Sequence, residues 1–286
     1  MLAALWICPS ASFGQTSTVD YHWLSKNDQP RGGVQMDTIE SRFQPPAGAT
    51  RMMVGTRDFG HWLRGLPLRP PKSPVYLFNG RLKPKQRLHE AVIKIDVGKR
   101  DLQQCADAVI RFRAEFLYHQ RPRPDITFHY TTGDPISFDR WRRGERPRVR
   151  EYQQGGKRRW RVDWTRGGTA GDHHRNFRAY LDNVYMYAGT ASLAQQLKRR
   201  APEHVEIGDM YLQGGHPGHA VLIVDLAEHP TYGTIALLAQ SYMPAQEPHI
   251  LKNVFNPNLS PWFVIPRQGN MYTPEWTFKA TDIYRF

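Results

Sequence analysis

Cys105, His219 and Gln240 are the residues of this chain whose types and order could perform nucleophilic chemistry. A thiol can attack a carbonyl carbon when an imidazole accepts its proton and a third polar group orients the imidazole. Cys105 lies in a helical pattern, whereas His219 begins one apolar run and Gln240 ends the next, and such runs are typical of β-strands. The sequence therefore predicts a thiol nucleophile, a general base and an orienting amide.

Cys105 falls near the start of a helix that is predicted over residues 101–118. Asp101 is expected to cap this helix, which would make Cys105 its fourth residue. Unpaired backbone N–H groups and the helix dipole would stabilise a thiolate there and could bind an oxyanion. The alternative is a structural cysteine, because Cys105 shares one apolar face with its neighbours in the helix. That face comprises Leu102, Cys105, Val109, Phe112 and Phe116.

His219 follows Pro217-Gly218 at the entrance of a predicted strand. A histidine in that place is often a surface or capping residue when it is considered alone. Gln240 is the preferred orienting group because it lies on the next predicted strand. Asp225, at the end of the strand that His219 begins, is the second choice.

The pattern of the surrounding elements indicates an α+β fold. Residues 15–50 are polar and rich in proline and glycine, and they are expected to be extended. Residues 51–286 are expected to form a single domain with an insertion at about 120–200. Further strands are predicted at 75–78, 91–97, 126–130 and 210–212, and two further helices within 172–198.

The first 14 residues are expected to be a signal peptide. An apolar stretch that ends at Cys8 precedes Ser12-Phe13-Gly14, whose small residues a signal peptidase could recognise. Cleavage there would leave Cys105 as the single cysteine, so no intramolecular disulfide could form. We therefore expect an exported protein, periplasmic or extracellular. No transmembrane segment is expected in the mature chain, since no other apolar run approaches about 18 residues.

Much of the formal net charge of +13 is concentrated in a segment that runs from Arg140 to Arg166. Its basic side chains are interleaved with Trp141, Tyr152, Trp160 and Trp164. Such a segment could bind nucleic acid or an anionic envelope surface, or it could be a solvated hairpin. Nucleic acid is an unlikely partner for an exported protein.

The segments 208–212 and 218–224 resemble the paired signature of the NlpC/P60 branch of papain-like cysteine peptidases. In that branch a Gly-Asp strand precedes a Gly-His strand that carries the base. The resemblance implies a papain-like (NlpC/P60-like) core, in which a helix packs on an antiparallel sheet, with a large insertion. It also implies a cysteine hydrolase, an amidase or peptidase, that acts on cell-wall peptide through Cys105, His219 and Gln240. The chain departs from the pattern where Ala106-Asp107 replace the usual Ser-Gly.

Over most of residues 20 to 286 the chain also resembles a little-characterised family of exported bacterial proteins that bear a domain of unknown function. That family brings no established activity. The segments that carry the resemblance are 76–80, 99–107, 187–190, 215–220, 239–246, 260–262 and 273–276.

Tyr242, Gln246 and Trp262 lie in segments rich in aromatic and amide groups. Aromatic rings stack on sugar faces and amides supply hydrogen bonds, so these residues are candidates for binding a sugar or a peptide. A packed loop beneath the sheet is the alternative. Cell-wall peptide or glycan is the partner that these side chains suit.

A metal site is the competing chemistry. Nitrogen and oxygen ligands for zinc could come from Asp172, His173, His174, His216 and His219. Neither spacing is a zinc signature, so no metal and no cofactor are expected. The sequence also lacks a phosphate-binding glycine loop and a Gly-x-Ser-x-Gly motif, which argues against kinases, dehydrogenases and serine hydrolases. The alternative function is a non-catalytic envelope protein that binds a glycan or another protein. The sequence gives no indication of oligomeric state.

Overall fold

The computed structural model describes residues 21–25 and 36–286. The signal peptide predicted at 1–14 lies outside these residues, as do positions 15–20 and 26–35 of the segment expected to be extended. The helices are α1 (Ile39–Arg42), α2 (Phe59–Arg64), α3 (Cys105–His119), α4 (Phe138–Arg142), α5 (His174–Tyr185) and α6 (Thr190–Gln196).

The strands are β1 (Thr50–Arg51), β2 (His89–Val92), β3 (Thr127–His129), β4 (Pro135–Ser137), β5 (Glu145–Gln154), β6 (Lys157–Arg166), β7 (Lys198–Arg200), β8 (Met210–Gln213), β9 (His219–His229), β10 (Gly233–Gln240), β11 (His249–Leu251), β12 (Phe263–Val264), β13 (Asn270–Thr273), β14 (Trp276–Lys279) and β15 (Ile283–Arg285). Nine of them form one sheet in the order β2-β11-β10-β9-β8-β15-β7, with β1 on β9 and β12 on β10. All of its pairings are antiparallel. The fold therefore combines helices with a mostly antiparallel sheet, as the sequence predicts.

Strand β9 is the centre of this sheet and has a core on both of its faces. Ala220, Leu222 and Val224 belong to the cluster that includes α3. Val221 and Ile223 belong to a second cluster, which includes Phe278 of β14. Because successive side chains of a strand point to opposite faces, this unbroken apolar run is typical of a strand buried on both sides.

Helix α3 begins later than the sequence pattern predicts. Its N-cap is Gln104, so Cys105 is the first residue of the helix and not the fourth. Asp101 is not the cap, because its Oδ1 accepts a hydrogen bond from the Ala245 backbone N–H (2.7 Å) and another from the Gln104 amide (3.0 Å). Asp107 Oδ2 accepts from the Gln104 backbone N–H at 3.1 Å instead. The predicted apolar face is confirmed from Val109 onwards, where Phe112 and Phe116 are also buried.

Two predicted strands are shorter than expected. The segment 75–78 forms only isolated bridges, Tyr76 with Leu82 and Leu77 with Gln246. The chain reverses directly afterwards in a turn that contains Gly80, whose φ of 80° is a left-handed conformation that glycine adopts without steric cost. The strand predicted at 91–97 ends at Val92.

Residues 120–200, between α3 and the later strands, contain two hairpins and three helices. The hairpins are β3–β4 and β5–β6, and the helices are α4, α5 and α6. Helix α5 buries Phe177, Tyr180, Leu181 and Val184, which confirms its predicted apolar face. Within residues 21–25 and 36–286, no helix has the length and apolar character needed to cross a membrane.

Candidate functional site

A cleft of about 330 Å³ lies where the first residue of α3 meets the first residue of β9. Its volume is in the range of small-ligand sites. The walls include Cys105, Asp107, Tyr185, His219, Tyr242 and Trp276. The two residues that the sequence predicts as nucleophile and base therefore line one cavity, although they are far apart along the chain.

Cys105 is partly exposed in this cleft as a free thiol. Burial, together with the nearby charge of Asp107, raises the pKa of the thiol to about 11. Backbone N–H groups of Ala220, Ala106 and Cys105 interact with the sulfur and act in the opposite direction. The contact with Ala220 places the sulfur beside the residue that follows His219. Desolvation outweighs the N–H groups at the helix start, so the resting thiol is protonated at neutral pH.

His219 is almost fully buried, with 1% of its surface exposed. Its ring centroid lies 4.8 Å from that of Tyr242, 5.2 Å from that of Trp276 and 6.0 Å from that of Phe278. Burial lowers the pKa of the imidazole to about 4, so the ring is neutral at pH 7. A neutral imidazole can accept a proton from a thiol, whereas an imidazolium cannot.

Gln240 orients this imidazole. His219 Nε2 lies 2.9 Å from Gln240 Oε1, and Gln240 Nε2 donates to Glu275 Oε2 at 2.8 Å. Because Glu275 accepts from the amide nitrogen, the amide oxygen faces the ring and must receive the proton of Nε2. Nδ1 is then the unprotonated nitrogen, and the described part of the chain offers it no hydrogen-bond partner.

A buried ion pair supports the orientation of Gln240. Lys83 Nζ lies 2.6 Å from Glu275 Oε2, and 4% and 7% of the two side chains are exposed. A buried carboxylate beside an ammonium group remains charged and can only accept hydrogen bonds. This ion pair therefore prevents a flip of the Gln240 side-chain amide, which would exchange its oxygen and nitrogen.

Gly218 shapes the wall of the cleft next to His219. A Cβ atom at this position would lie 2.5 Å from the Gly215 carbonyl oxygen and 2.7 Å from that of Gln213, and it would also meet Thr190 Oγ1. Thr190 is the first residue of α6, and its hydroxyl donates to the Gly215 carbonyl at 3.2 Å. The glycine therefore allows the start of α6 to approach the turn that precedes β9.

The three residues predicted to bind substrate lie in different environments. Tyr242 lines the cleft and packs against His219. Gln246 is buried, and its backbone N–H lies 3.4 Å from the Ser241 hydroxyl. Trp262 is 1% exposed, and its indole N–H donates to the Gln44 carbonyl at 3.2 Å. Among the described residues, the lining of the cleft thus includes Tyr242 but not Gln246 or Trp262.

Asp107 and Tyr185 line the cleft although the sequence pattern does not single them out. Both are buried, and within the described ranges neither Asp107 Oδ1 nor the Tyr185 hydroxyl has a hydrogen-bond partner. Burial holds the pKa of the Asp107 carboxyl well above its usual range and raises that of the Tyr185 hydroxyl. These two buried oxygens are therefore unsatisfied polar atoms next to the cleft.

The two aspartates of the neighbouring strands have structural partners. Asp209 of the Gly-Asp segment accepts from Arg285 at 2.6 Å. Asp225 forms ion pairs with Arg64 at 2.6 Å and Arg51 at 2.9 Å, which ties β9 to α2 and β1. A larger cavity, of about 760 Å³, lies beside Asp209 and Arg113 and is lined by neither Cys105 nor His219. The smaller cleft is therefore the candidate site.

The histidines that were considered for zinc binding are dispersed. His173 Nδ1 caps α5 by accepting from the Asn176 backbone N–H, and His174 Nε2 lies 2.9 Å from Glu115. Asp172 pairs with Arg123, whereas His216 and His219 line the cleft. Across residues 21–25 and 36–286, no cluster of three or more His, Cys, Asp or Glu side chains could hold a metal ion.

Glu275 and Trp276 belong to the candidate site, although the sequence pattern alone does not assign them to it. The segment 273–276 is one of those that carry the family resemblance, and it places the carboxylate of Glu275 in the turn between β13 and β14 and the indole of Trp276 at the start of β14. The polar and aromatic side chains of this segment are the sequence feature that could have indicated a role in the site. No sequence pattern indicates a role for Lys83, because its partner Glu275 lies 192 positions further along the chain.

The family described as Domain of unknown function (4846) matches residues 39–285 of the chain. This match confirms the resemblance to an uncharacterised domain family. No curated protein and no solved structure matches the chain. Its activity must therefore be inferred from the geometry of the cleft.

Proposed function

This chain belongs to the family described as Domain of unknown function (4846), and we propose that it is a cysteine hydrolase that cleaves an amide bond. One observation carries the proposal. The hydrogen bond between His219 Nε2 and Gln240 Oε1 leaves Nδ1 unprotonated, and His219 lines the same cleft as Cys105. In thiol and serine hydrolases, likewise, a third group binds one ring nitrogen of the imidazole and the other nitrogen acts as the base.

The proposed reaction starts from a neutral thiol and a neutral imidazole. As the sulfur of Cys105 bonds to the amide carbon, the thiol proton moves to His219 Nδ1 and the carbonyl electrons move to the oxygen. The backbone N–H groups of Cys105 and Ala106 at the start of α3 lie beside the sulfur and would stabilise that oxyanion. The C–N bond then breaks, and the amine leaves with the proton from Nδ1.

Water completes the cycle. Its oxygen attacks the thioester carbon while His219 Nδ1 takes one of its protons. The C–S bond then breaks, the sulfur recovers the proton, and the carboxylic acid is released. Gln240 accepts from Nε2–H throughout and so stabilises the imidazolium form.

The finer classification rests on the resemblance to NlpC/P60 peptidases. Helix α3 packs against β9, and β8, β9 and β10 are adjacent and antiparallel. This arrangement supports a papain-like core with Cys105 at the start of its helix. We accordingly propose cell-wall peptide as the substrate and an exported location, periplasmic or extracellular, for the enzyme.

A second candidate is a non-catalytic envelope protein that binds a glycan or another protein. The raised pKa of the Cys105 thiol favours this alternative, because a protonated thiol is a weak nucleophile.

The test is hydrolysis of a panel of wall-derived peptides by the purified full chain, compared with its Cys105→Ala variant. Wild type is expected to release a new amine, and the variant is expected to release none. Release by both proteins, or by neither across the panel, would refute the hydrolase. Binding of peptide without hydrolysis would establish the second candidate.

A further inference from the structure

The hairpin β5–β6 has two chemically different faces. Its register pairs Arg148 with Asp163, Arg150 with Arg161 and Tyr152 with Arg159, and paired residues share a face. The cationic face therefore carries one carboxylate, Asp163, among Arg146, Arg148, Arg150, Lys157, Arg159 and Arg161. The opposite face carries equal numbers of opposite charges, namely Arg158 and Arg166 with Glu145 and Glu151.

The cations of this face are available to a partner. Arg148, Arg150, Lys157, Arg159 and Arg161 are all exposed. Arg150 and Arg161 share Asp163 at 3.2 Å each, whereas no carboxylate of the described chain pairs with Arg148, Lys157 or Arg159. Only Arg146 is committed to the body of the protein, through the carbonyl of Thr169. Like charges at this density repel one another, so an anion that lies across the face would be attracted to it.

The outer part of the hairpin has no packing partner. Every residue from 150 to 161 is exposed, so the two strands project from the body. An isolated two-stranded hairpin is marginally stable in water. A ligand that covered the cationic face would neutralise the repulsion within it.

From this charge pattern we propose that the cationic face docks a linear phosphodiester polymer without bases, of the poly(glycerol phosphate) type. Alternate residues of a strand are about 6.8 Å apart, so the cations form rows along which an extended polyanion can lie. Most of the cations are arginines, whose guanidinium groups bind phosphate oxygens in pairs.

The aromatic residues favour this polymer over nucleic acid and over a lipid surface. Base stacking needs a free ring among the cations, but Trp160 lies on the opposite face and Arg161 sits 5.6 Å from the Tyr152 ring. A membrane-binding hairpin would present apolar side chains at its tip, which here has the polar sequence from Gln153 to Lys157.

The test is fluorescence anisotropy of the full chain with a labelled poly(glycerol phosphate), measured over a range of salt concentrations. The double variant Lys157→Gln, Arg159→Gln is expected to weaken binding about tenfold and to lower the slope of log Kd against log salt by about 1.4. The matched control Arg158→Gln, Arg166→Gln removes the same charge from the opposite face of the same hairpin. It is expected to change Kd less than about twofold, because those cations lie away from the polymer.

Four results would overturn the proposal. Equal weakening in both double variants would mean that net charge alone attracts the polymer. If single-stranded DNA bound more tightly than the polymer, the face would be a nucleic-acid surface. If phosphatidylglycerol vesicles bound through the cationic face and the polymer did not bind, it would be a lipid surface. Failure of wild type to bind the polymer also refutes it. None of these results depends on Cys105 chemistry.

Discussion

His219 and Gln240 lie at the ends of neighbouring strands β9 and β10 and are joined by a 2.9 Å contact between Nε2 and Oε1. Because the strands are antiparallel, the first residue of β9 and the last residue of β10 lie at the same end of the two strands. The amide thereby selects the tautomer of a buried imidazole.

Replacing the base should abolish most of the activity. We expect His219→Ala to lower kcat/KM for peptide hydrolysis about 10²- to 10⁴-fold, because proton transfer from the thiol would lose its acceptor. His216→Ala is a suitable control, since His216 lines the same cleft without contributing to the Gln240 network. A comparable loss in both variants would contradict the assigned role.

The thiol should react slowly at neutral pH. Burial favours the protonated form, so the rate of alkylation by iodoacetamide is expected to rise with pH to a midpoint near 11. Asp107→Asn should move this midpoint downwards, because it removes a negative charge that disfavours the thiolate. Mass spectrometry of Cys105 measures the rate, and Cys8→Ser in both proteins excludes the other cysteine. A wild-type midpoint at or below 9 would disagree.

The ion pair of Lys83 with Glu275 should control the tautomer of His219. In wild type, ¹⁵N NMR is expected to show a protonated Nε2 and an unprotonated Nδ1. Glu275→Leu frees the amide of Gln240 to turn, so both tautomers should appear and kcat should fall about 10²-fold with little change in KM. Glu275→Gln keeps a carbonyl acceptor and should restore much of the rate. An unchanged spectrum in Glu275→Leu would remove Glu275 from the mechanism.

Gly218 should tolerate no side chain. Gly218→Ala forces a methyl group against the carbonyl of Gly215 and the hydroxyl of Thr190, and we expect a loss of about 1–3 kcal/mol in the free energy of unfolding. Gly189→Ala, beside the same cleft, places its Cβ in open space and should cost less. Urea unfolding at pH 7 compares the two. If the two variants had equal free energies of unfolding, the close approach of α6 to the turn before β9 would not require a glycine at position 218.

A second buried histidine should make stability depend on pH. Burial lowers the pKa of His249 to about 3, and an unfolded histidine titrates near 6.5. Between these values the unfolded chain binds the proton and the folded chain does not, so stability falls as pH decreases. The loss is about 1.4 kcal/mol for each pH unit below 6.5. Urea unfolding at pH 7 and pH 5 should show a smaller decrease for His249→Phe than for wild type.

The sequence predicts the strands around the site better than the start of its helix. Ala220 to Val224 form an apolar run that is typical of a strand buried on both faces, and Gln240 ends a second such run. The start of α3 was misplaced because Asp101, a good N-cap residue, is bound to the distant Ala245. Local rules could not include that partner.

The pKa of Cys105 could not be predicted from its place on the helix. Cys105 does lie at the start of the helix, as predicted, and the backbone N–H groups there favour the thiolate. Burial by residues from other parts of the chain has the larger effect. Likewise, Lys83 and Glu275 meet only because β13 and β14 fold back over the sheet. The spacing of the two residues in the sequence does not predict that contact.

The imidazole packs against β14, and β15 inserts between β8 and β7. A ribosome makes Cys105 and His219 well before it makes Glu275, Trp276 and Phe278. Until those later residues emerge, nothing holds Gln240 in one orientation, and the sheet lacks an inner strand. A nascent chain would therefore carry the proposed nucleophile and base without the assembled candidate site, and it could not yet hydrolyse an amide bond.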